Sequence, residues 1–183
     1  PAVFFRDNVE ATRRLLEMSV AAGVRNFLHI SSIAVGFSGE VSYPYGESKR
    51  EAESLVAISG LHYLILRPTM IIGEKAPVLE SLAKLAGAPL TPVFGDGKVK
   101  VQPLFVDDLL DCMFSVLSDG YFPNEALDLG GPQVLSMDEL LEHIRLARRQ
   151  GKARLVHVPV KLVLPLIALL EKAFLRLMPF TSG

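Results

Sequence analysis

The spacing of apolar positions changes repeatedly along the first third of the chain, and these changes predict alternating helices and strands. In the first helix Val9, Leu16 and Val20 recur on one face, with Leu15 beside them. Four elements follow from the pattern: a helix over residues 8–22, a strand over 26–31, a helix over 44–58 and a strand over 62–66. Because connections of this length join parallel strands, the sequence predicts an α/β layered sheet.

The pattern becomes less regular after residue 74, which divides the chain into two parts. Residues 75–183 are predicted to contain helices over 78–86, 107–118, 136–149 and 159–177, an extended segment over 99–106 and a strand over 126–129. Ser136 and Glu139 have the spacing of a capping box, which favours a helix start there. We expect a parallel sheet in residues 1–74 and a smaller, mixed α/β portion in residues 75–183.

Composition and charge exclude several classes of function. Half of the 183 residues are apolar, and 19 Lys and Arg face 20 Asp and Glu, so no basic excess suggests binding to nucleic acid. The single cysteine, Cys112, can form neither an internal disulfide nor a cysteine-cluster metal site. This favours a reducing compartment. The four histidines also lack the spacing of metal ligands, so we expect no metal site.

Hydropathy gives an expectation about location. The first residues lack the apolar run of a signal peptide, and the most apolar stretch, residues 162–170, is shorter than the roughly 18 residues that a spanning helix needs. We therefore expect a cytoplasmic protein without a transmembrane helix. The apolar stripe of the last helix leaves two alternatives open: contact of residues 159–179 with a membrane surface or partner, and packing within the protein itself.

Tyr45 and Lys49, at the start of the second helix, form the most informative motif. Residues four apart share one face of a helix, and an ammonium near a phenol, whose ordinary pKa is about 10, favours the phenolate. Such a tyrosine exchanges a proton with an alcohol or carbonyl at neutral pH. Ser31 and Ser32 follow the first strand, at the edge where open α/β sheets bind ligands. The spacing also arises by chance, so a packed Tyr45 and a solvated Lys49 remain the alternative.

Further segments, in chain order, are similar to one enzyme family. They cover residues 8–17, 24–32, 45–49, 66–73, 95–97, 105–108, 129–132 and 136–140. Together they resemble the C-terminal portion of an extended or atypical short-chain dehydrogenase/reductase, the NAD-dependent epimerase/dehydratase family. The form Arg67-Pro68-Thr69-Met70 is most similar to the branch that contains the nucleotide-binding accessory subunit of respiratory complex I.

The resemblance implies a Rossmann-like parallel sheet whose N-terminal half is missing. Residues 1–74 are then the second half of an NAD(P)-binding domain, and residues 75–183 form the substrate-binding portion intertwined with it. The implied cofactor is NAD or NADP. The Gly-rich fingerprint that binds the pyrophosphate is absent from this sequence.

The same resemblance implies a role for individual residues. Tyr45 is the implied catalytic acid/base, and Lys49 binds the nicotinamide ribose and activates Tyr45. Ser32 orients the substrate oxygen, with Ser31 as the alternative if the register differs by one residue, and Asn8 belongs to a proton relay. The remaining implied contacts are those of Tyr45, Ser31, Pro68 and Thr69 with the cofactor and of Met70 with the substrate.

Two functions remain open at this point. One is an NAD(P)-dependent oxidoreductase, epimerase or dehydratase that acts on a small carbonyl or alcohol. Met70 stands where sugar-nucleotide epimerases carry Asn, which argues against a nucleotide sugar. The other is a non-enzymatic NAD(P)-binding scaffold or assembly factor related to complex I accessory subunits. A homodimer is an additional open alternative for the protein's partners.

Several other polar residues are interpreted as structural. His29 is expected to be a hydrogen-bonded core residue, Arg67 a pairing residue and Cys112 a small core residue. The second helix is expected to expose Lys49, Glu51 and Glu53 to solvent. The remaining charged residues in this group are helix-end residues: Asp107 and Asp108 at a helix start, and Arg145, Arg148 and Arg149 at a solvated helix end.

Overall fold

A computed structural model describes residues 2–37, 43–148, 151 and 154–160. These residues form two compact units. Unit 1 contains the residues up to Ile71 together with Pro103–Gly131, and unit 2 contains Ile72–Gln102 together with the described residues from Pro132 onward. The predicted helix over 159–177 and the predicted contact through 159–179 lie outside the described residues from position 161.

The N-terminal helical segment of unit 1 is interrupted by a π-helical stretch. A short turn α1 (Ala2–Phe4) leads into π-helical Phe5–Glu10 and then into α2 (Ala11–Ala21). The Ala11 N–H donates to Arg6 O, five residues back, which is the hydrogen bond of a π-helix. π-Helical stretches are rare in proteins, and many of those that occur lie at functional sites.

The predicted apolar face of α2 is only partly correct. Leu16 is buried, with 6% of its surface exposed, whereas Leu15 is 53% and Val20 51% exposed. Val20 lines an open concavity beside Leu55, where the described residues leave its side chain uncovered. Helical spacing places Leu16 and Val20 on one face, but the tertiary contacts cover that face only in part.

The predicted parallel sheet is confirmed, and it has a third strand. Strands β1 (Asn26–Ile30), β2 (His62–Pro68) and β7 (Glu125–Leu129) are parallel and lie in the order β1-β2-β7. The sequence pattern predicted the third strand but not its place in this sheet. Strand β7 pairs with β2 because the helix over Val106–Asp119, which precedes β7, returns the chain to the end of the sheet where β2 begins. This is the usual crossover between parallel strands.

Helices cover both faces of this sheet. Helix α3 (Pro44–Ala57) and α2 lie on one face, where Leu16, Val56 and Ile65 form a buried cluster. Helix α5 (Val106–Asp119) belongs to the other face, with Leu64, Leu66, Leu104, Leu109 and Val116. Neighbouring residues of β2 thus enter opposite clusters, as the period of two in a strand requires. Cys112 packs against the second cluster, as predicted.

Unit 2 is built from short strands and two helices. Its elements are α4 (Pro77–Gly87), β4 (Thr91–Phe94), β5 (Lys100–Val101), β8 (Leu135–Ser136), α6 (Met137–Ala147) and β9 (Leu155–Val158). Strand β4 is parallel to β9, and β5 is antiparallel to β8. Two further short strands, β3 (Ile71–Ile72) and β6 (Leu104–Phe105), lie where the chain passes from one unit to the other. The core of unit 2 contains Ala86, Val93 and Leu141.

The helix ends of unit 2 confirm one prediction and correct another. The capping box at the start of α6 is present, with Ser136 Oγ accepting from the Glu139 N–H and Glu139 bonding back to Ser136 N. The prediction that the arginines at the end of α6 are solvated is wrong for Arg145. Its Nη1 donates to Ala86 O at 2.6 Å and to Ala88 O at 2.8 Å. Carbonyls at the end of a helix lack intrahelical donors, so a guanidinium nearby supplies them.

Among the described residues, no helix combines the length and apolar character that crossing a membrane requires. The same part of the chain holds no group of three or more His, Cys, Asp or Glu side chains arranged to bind a metal ion.

Candidate active site

The candidate site lies in unit 1, at the carboxyl edge of the parallel sheet. Strands β1, β2 and β7 end at Ile30, Pro68 and Leu129. Backbone hydrogen bonds continue past these ends, from Ser31 N to Leu66 O at 2.7 Å and from Thr69 N to Leu129 O at 2.9 Å. This is the edge at which open α/β sheets bind ligands.

Ser32 begins a tight turn that is held against α3. Its Oγ accepts a hydrogen bond from the Ala34 N–H at 3.2 Å, at the start of the 3₁₀ turn Ile33–Gly36, and its own O–H is left to donate. The turn approaches α3 so closely that a Cβ at Gly46 would lie 2.7 Å from Ala34 O. Glycine is therefore required next to Tyr45 for the turn and the helix to meet.

Tyr45 lies half-buried in the first turn of α3. Its ring makes edge-on contacts with Phe4, at a centroid distance of 5.7 Å, and with Tyr43, at 6.0 Å. Within the described part of the chain its Oη makes no hydrogen bond, so contacts of the ring hold this side chain.

Lys49 follows one helical turn later. Its Nζ donates to Ile30 O, at the end of β1, over 3.2 Å, which is its single hydrogen bond among the described residues. Burial lowers the pKa of Lys49, and the negative charge of Glu53 opposes this effect. The prediction that Lys49 lies on the solvent-exposed side of the helix is wrong, because this face of α3 packs on the sheet.

A chain of hydrogen bonds connects Asn8 to Tyr45. Asn8, within the π-helical stretch, donates through Nδ2 to Ser48 Oγ at 2.9 Å, and Ser48 Oγ donates to Tyr45 O at 2.8 Å. Ser48 is fully buried and was not predicted from the sequence. Its position three residues after Tyr45, within reach of that carbonyl, was the available signal.

Glu53 is also missed by the sequence pattern, which predicted it to be exposed. It is 7% exposed and forms two hydrogen bonds with Arg67, Arg67 Nε to Oε1 at 2.9 Å and Nη2 to Oε2 at 2.6 Å. Burial by itself raises the pKa of Glu53, but the bonds from Arg67, the Ser31 hydroxyl and the Arg67 charge together hold it below its ordinary value. The predicted pairing role of Arg67 is confirmed.

Two buried polar atoms lie beside this ion pair. Ser31 is 4% exposed, and neither its Oγ nor His29 Nε2 has a hydrogen-bond partner of good geometry among the described residues. The expectation that His29 is a hydrogen-bonded core residue is therefore correct in its burial and wrong for Nε2. Burial, together with the charge of Lys49, lowers the pKa of His29 to about 4, so its ring is neutral near pH 7.

The end of β2 and the segment after it contain the remaining predicted residues. Pro68 is buried, and Thr69 and Met70 are half-buried. Met70 O accepts a hydrogen bond from Leu104 N at 2.8 Å, so backbone contacts fix this segment. The roles predicted for these three residues and for Ser31, Ser32, Tyr45, Lys49 and Asn8 stay predictions, but all eight lie in unit 1.

A statistical description of the NAD dependent epimerase/dehydratase family matches residues 1–130. The chain belongs to this family. Its helices and parallel strands, its Tyr-x-x-x-Lys motif and the cofactor class predicted from the sequence agree with this membership. The match covers the described residues of unit 1 apart from Gly131, together with the first segment of unit 2, Ile72–Gln102.

Two curated proteins are similar to this chain at low identity. NADH dehydrogenase [ubiquinone] 1 alpha subcomplex subunit 9, mitochondrial, of Dictyostelium discoideum is 25% identical over 138 residues, which are 75% of this chain and 37% of that protein. UDP-glucose 4-epimerase of Vibrio cholerae is 26% identical over 167 residues, 80% of this chain and 51% of that protein. The chain thus spans at most about half of these curated relatives.

Solved structures of the epimerase/dehydratase family have the same fold. A dTDP-glucose 4,6-dehydratase from Bacillus anthracis, in complex with NAD, superposes with a TM-score of 0.74 at 21% identity over 87% of this chain and 58% of that chain. The Rossmann-like fold predicted from the sequence is therefore confirmed, as a part of the larger fold of these enzymes.

Proposed function

We propose that the protein carrying this chain is an NAD-dependent oxidoreductase, epimerase or dehydratase that acts on a small alcohol or carbonyl. The observation that carries the proposal is the arrangement at the sheet edge: Tyr45, with its hydroxyl unbonded among the described residues, and Lys49, held by Ile30 O, lie one turn apart on α3. Perturbed titratable groups in one place are typical of reacting sites.

The residues at this edge fit the nicotinamide end of the cofactor. The Lys49 ammonium makes one hydrogen bond among the described residues, which leaves donors for ribose hydroxyls. Ser31, Pro68 and Thr69 follow the same strand ends. The bound cofactor accepts or donates a hydride. Because the sequence has no Gly-rich fingerprint, these residues account for that end of the cofactor and not for its pyrophosphate.

Each residue then has one task in the chemistry. Tyr45 Oη gives a proton to, or takes one from, the substrate oxygen, while the Ser32 hydroxyl donates to the same oxygen. Asn8 and Ser48 hold the Tyr45 backbone and thereby the start of α3. Met70, at the sheet edge, faces the substrate with a thioether instead of an amide, which favours a small substrate over a nucleotide sugar.

Tyr45→Phe tests the proposal most directly. The complete protein is assayed with a substrate that a screen of small alcohols and carbonyls has identified. Removal of the hydroxyl keeps the ring contacts, so we expect turnover to fall by about 10²- to 10⁴-fold with little change in NADH affinity. Lys49→Met is expected to lower turnover and also to weaken NADH binding by about 10- to 100-fold, since charge-assisted hydrogen bonds are lost. Tyr121→Phe, at an exposed tyrosine of unit 1, is the matched control. Unchanged turnover in Tyr45→Phe refutes the mechanism.

A non-catalytic NAD(P)-binding scaffold is the second candidate, because a mitochondrial NADH dehydrogenase subunit is among the relatives. If the protein is such a scaffold, we expect Tyr45→Phe to have no effect in any assay and Lys49→Met still to weaken dinucleotide binding. Co-purification with a respiratory complex supports the scaffold, and turnover of an alcohol or carbonyl supports the enzyme. A cytoplasmic location, peripheral contact with a membrane and a homodimer remain predictions, which fractionation and sedimentation measure.

A further inference from the structure

Lys49 occupies an electrostatically unfavourable place. Burial lowers the pKa of its ammonium, and Ile30 O is the single hydrogen-bond acceptor that the described residues offer it. A carbonyl carries only a partial charge, so it does not neutralise an ammonium removed from water. A negative charge nearby therefore favours the charged form of this half-buried ammonium.

Glu53 is the carboxylate placed to supply this charge. It lies one turn after Lys49 on the same face of α3, as Lys49 lies one turn after Tyr45. The described Lys49 and Glu53 side chains form no direct ion pair, and each carboxylate oxygen of Glu53 accepts a hydrogen bond from Arg67. Glu53 thus acts on Lys49 through space and does not occupy the ammonium's hydrogen-bond donors.

Arg67 fixes the position of this carboxylate. Its guanidinium binds Glu53 with two bonds in a parallel fork, and its Nη1 lies 3.7 Å from Asp128 Oδ1 on the neighbouring strand. The pairing of β2 with β7 places Arg67 opposite Asp128. The fork prevents Glu53 from turning toward Lys49, so the ammonium stays directed at Ile30 O and the site.

The charges around Lys49 come from every element packed there. Glu53 is negative on α3, Arg67 is positive on β2 and Asp128 is negative on β7, while His29 on β1 is neutral near pH 7. Removal of Glu53 takes away the carboxylate that acts on Lys49, and it leaves Arg67 with the more exposed Asp128 as its acidic neighbour. Stability alone does not explain such a pair, because a buried ion pair is often no more stabilising than apolar residues of similar size.

We propose that Glu53, clamped by Arg67, is a positioning residue that keeps the Lys49 ammonium protonated and its donors free for the cofactor ribose. The inference rests on the proposed function for the role of Lys49 toward the cofactor. The electrostatic part concerns this chain alone and is measured without cofactor.

The first experiment is an NMR titration of the protein with labelled lysine side chains, in which Lys49→Met identifies the Lys49 signal. We expect Glu53→Gln to lower the pKa of Lys49 by about one pH unit. Glu10→Gln makes the same chemical change at an exposed helical ion pair of unit 1 and is expected to leave the Lys49 signal unchanged. A Lys49 titration in Glu53→Gln that coincides with the native one overturns the proposal.

Glu53→Gln leaves Arg67 without its partner and risks unfolding the protein, so a double variant is needed. Glu53→Gln combined with Arg67→Met removes both charges of the pair and leaves no unpaired guanidinium. A lowered pKa of Lys49 is expected here as well, since the stabilising carboxylate is gone. Glu53→Asp keeps the charge and is expected to restore the native titration in part. Native Lys49 behaviour in the folded double variant contradicts the proposal.

The second experiment measures NADH affinity against pH. The native protein and Glu53→Gln are expected to bind alike at low pH, where Lys49 is protonated in both. As the pH rises, Glu53→Gln is expected to lose affinity about one pH unit earlier than the native protein. A loss of equal size at every pH indicates a purely structural role and overturns the inference. If the native protein binds no NADH, the proposed function fails, while the lysine titration still decides the role of Glu53.

Discussion

The two units of the molecule differ in how their polar side chains are paired and how deeply the pairs are buried. In unit 1 they meet one another: Glu53 with Arg67, and Lys49 near His29, all at one edge of the sheet. In unit 2 the half-buried Arg145 binds the carbonyls at the end of α4, and the exposed Glu139 caps α6 together with Ser136. A side-chain pair is also present there, His157 Nε2 with Asp138 Oδ2 at 2.9 Å, but it is partly exposed. Both arrangements satisfy polar groups, and the first also shifts the pKa values of Glu53 and His29, which are largely removed from water.

This difference separates stability from chemistry. The backbone N–H and C=O groups at helix ends lack partners within the helix, and side chains that bond them stabilise unit 2. We expect these bonds to have no effect on ligand binding. Buried titratable groups that face one another are costly to fold and are typical of sites that react or bind ligands. We therefore expect the chemistry in unit 1, and four measurements test this comparison, from the largest expected effect to the smallest.

The pH dependence of stability is expected to be dominated by His29. Its pKa is about 4 in the folded protein and about 6.5 when exposed, so the unfolded chain binds a proton first as the pH falls. The free energy of unfolding should therefore drop between about pH 6.5 and pH 4, by about 3 kcal/mol in total. Urea unfolding of the native protein and His29→Leu at several pH values measures this. The variant should lack the drop, and an identical drop in both proteins contradicts the assignment.

Gly46→Ala tests the contact between α3 and the Ser32 turn. The new Cβ would meet Ala34 O at 2.7 Å, and a backbone oxygen cannot move aside cheaply. We expect a loss of about 2 kcal/mol in the free energy of unfolding, with weaker NADH binding because Tyr45 is displaced. Gly36→Ala, in the same turn, meets nothing within 4 Å and should change stability by about 0.5 kcal/mol or less. Equal effects of the two changes would refute the close approach.

Arg145→Met tests the helix-end contacts of unit 2. Two carbonyls of the α4 end lose a charged donor, so we expect a loss of about 1.5 kcal/mol in stability. Arg148→Met removes one bond, to Ala83 O, at an exposed side chain and is expected to cost about 0.5 kcal/mol. Thermal unfolding measures both changes, and NADH affinity should remain native in each. A change in affinity would mean that unit 2 contributes to the cofactor site.

Glu10→Gln is expected to have the smallest effect. Glu10 pairs with Arg14 on the solvent side of the N-terminal helix, at 2.9 Å, and exposed pairs of this spacing contribute about 0.3 kcal/mol. Unfolding at low and high salt checks this, since salt screens exposed pairs. If Glu10→Gln lowers the free energy of unfolding as much as Glu53→Gln does, the Glu10–Arg14 and Glu53–Arg67 ion pairs do not differ in kind.

The sequence determined the order of helices and strands, the parallel sheet and the helical spacing of Tyr45 and Lys49. Periods of two and 3.6 residues, capping residues and turn-forming glycines are local signals, so they are readable without the fold. The capping box at Ser136 and the helix start at Asp107 followed from the same local chemistry. The family resemblance extended this to the whole site, because its motifs stand in chain order.

Only the tertiary structure decided which polar residues are buried. Glu53 has the pattern of an exposed helix residue, and its burial depends on Arg67, which is distant in sequence and comes near through the sheet. Leu15 and Leu16 are adjacent and chemically identical, yet one is exposed and one buried, because the faces of α2 are covered unequally. The link from Asn8 through Ser48 to Tyr45 likewise depends on the packing of two helices. Long-range contacts set burial, and burial sets the pKa values, so the electrostatics of the site could not be read from spacing alone.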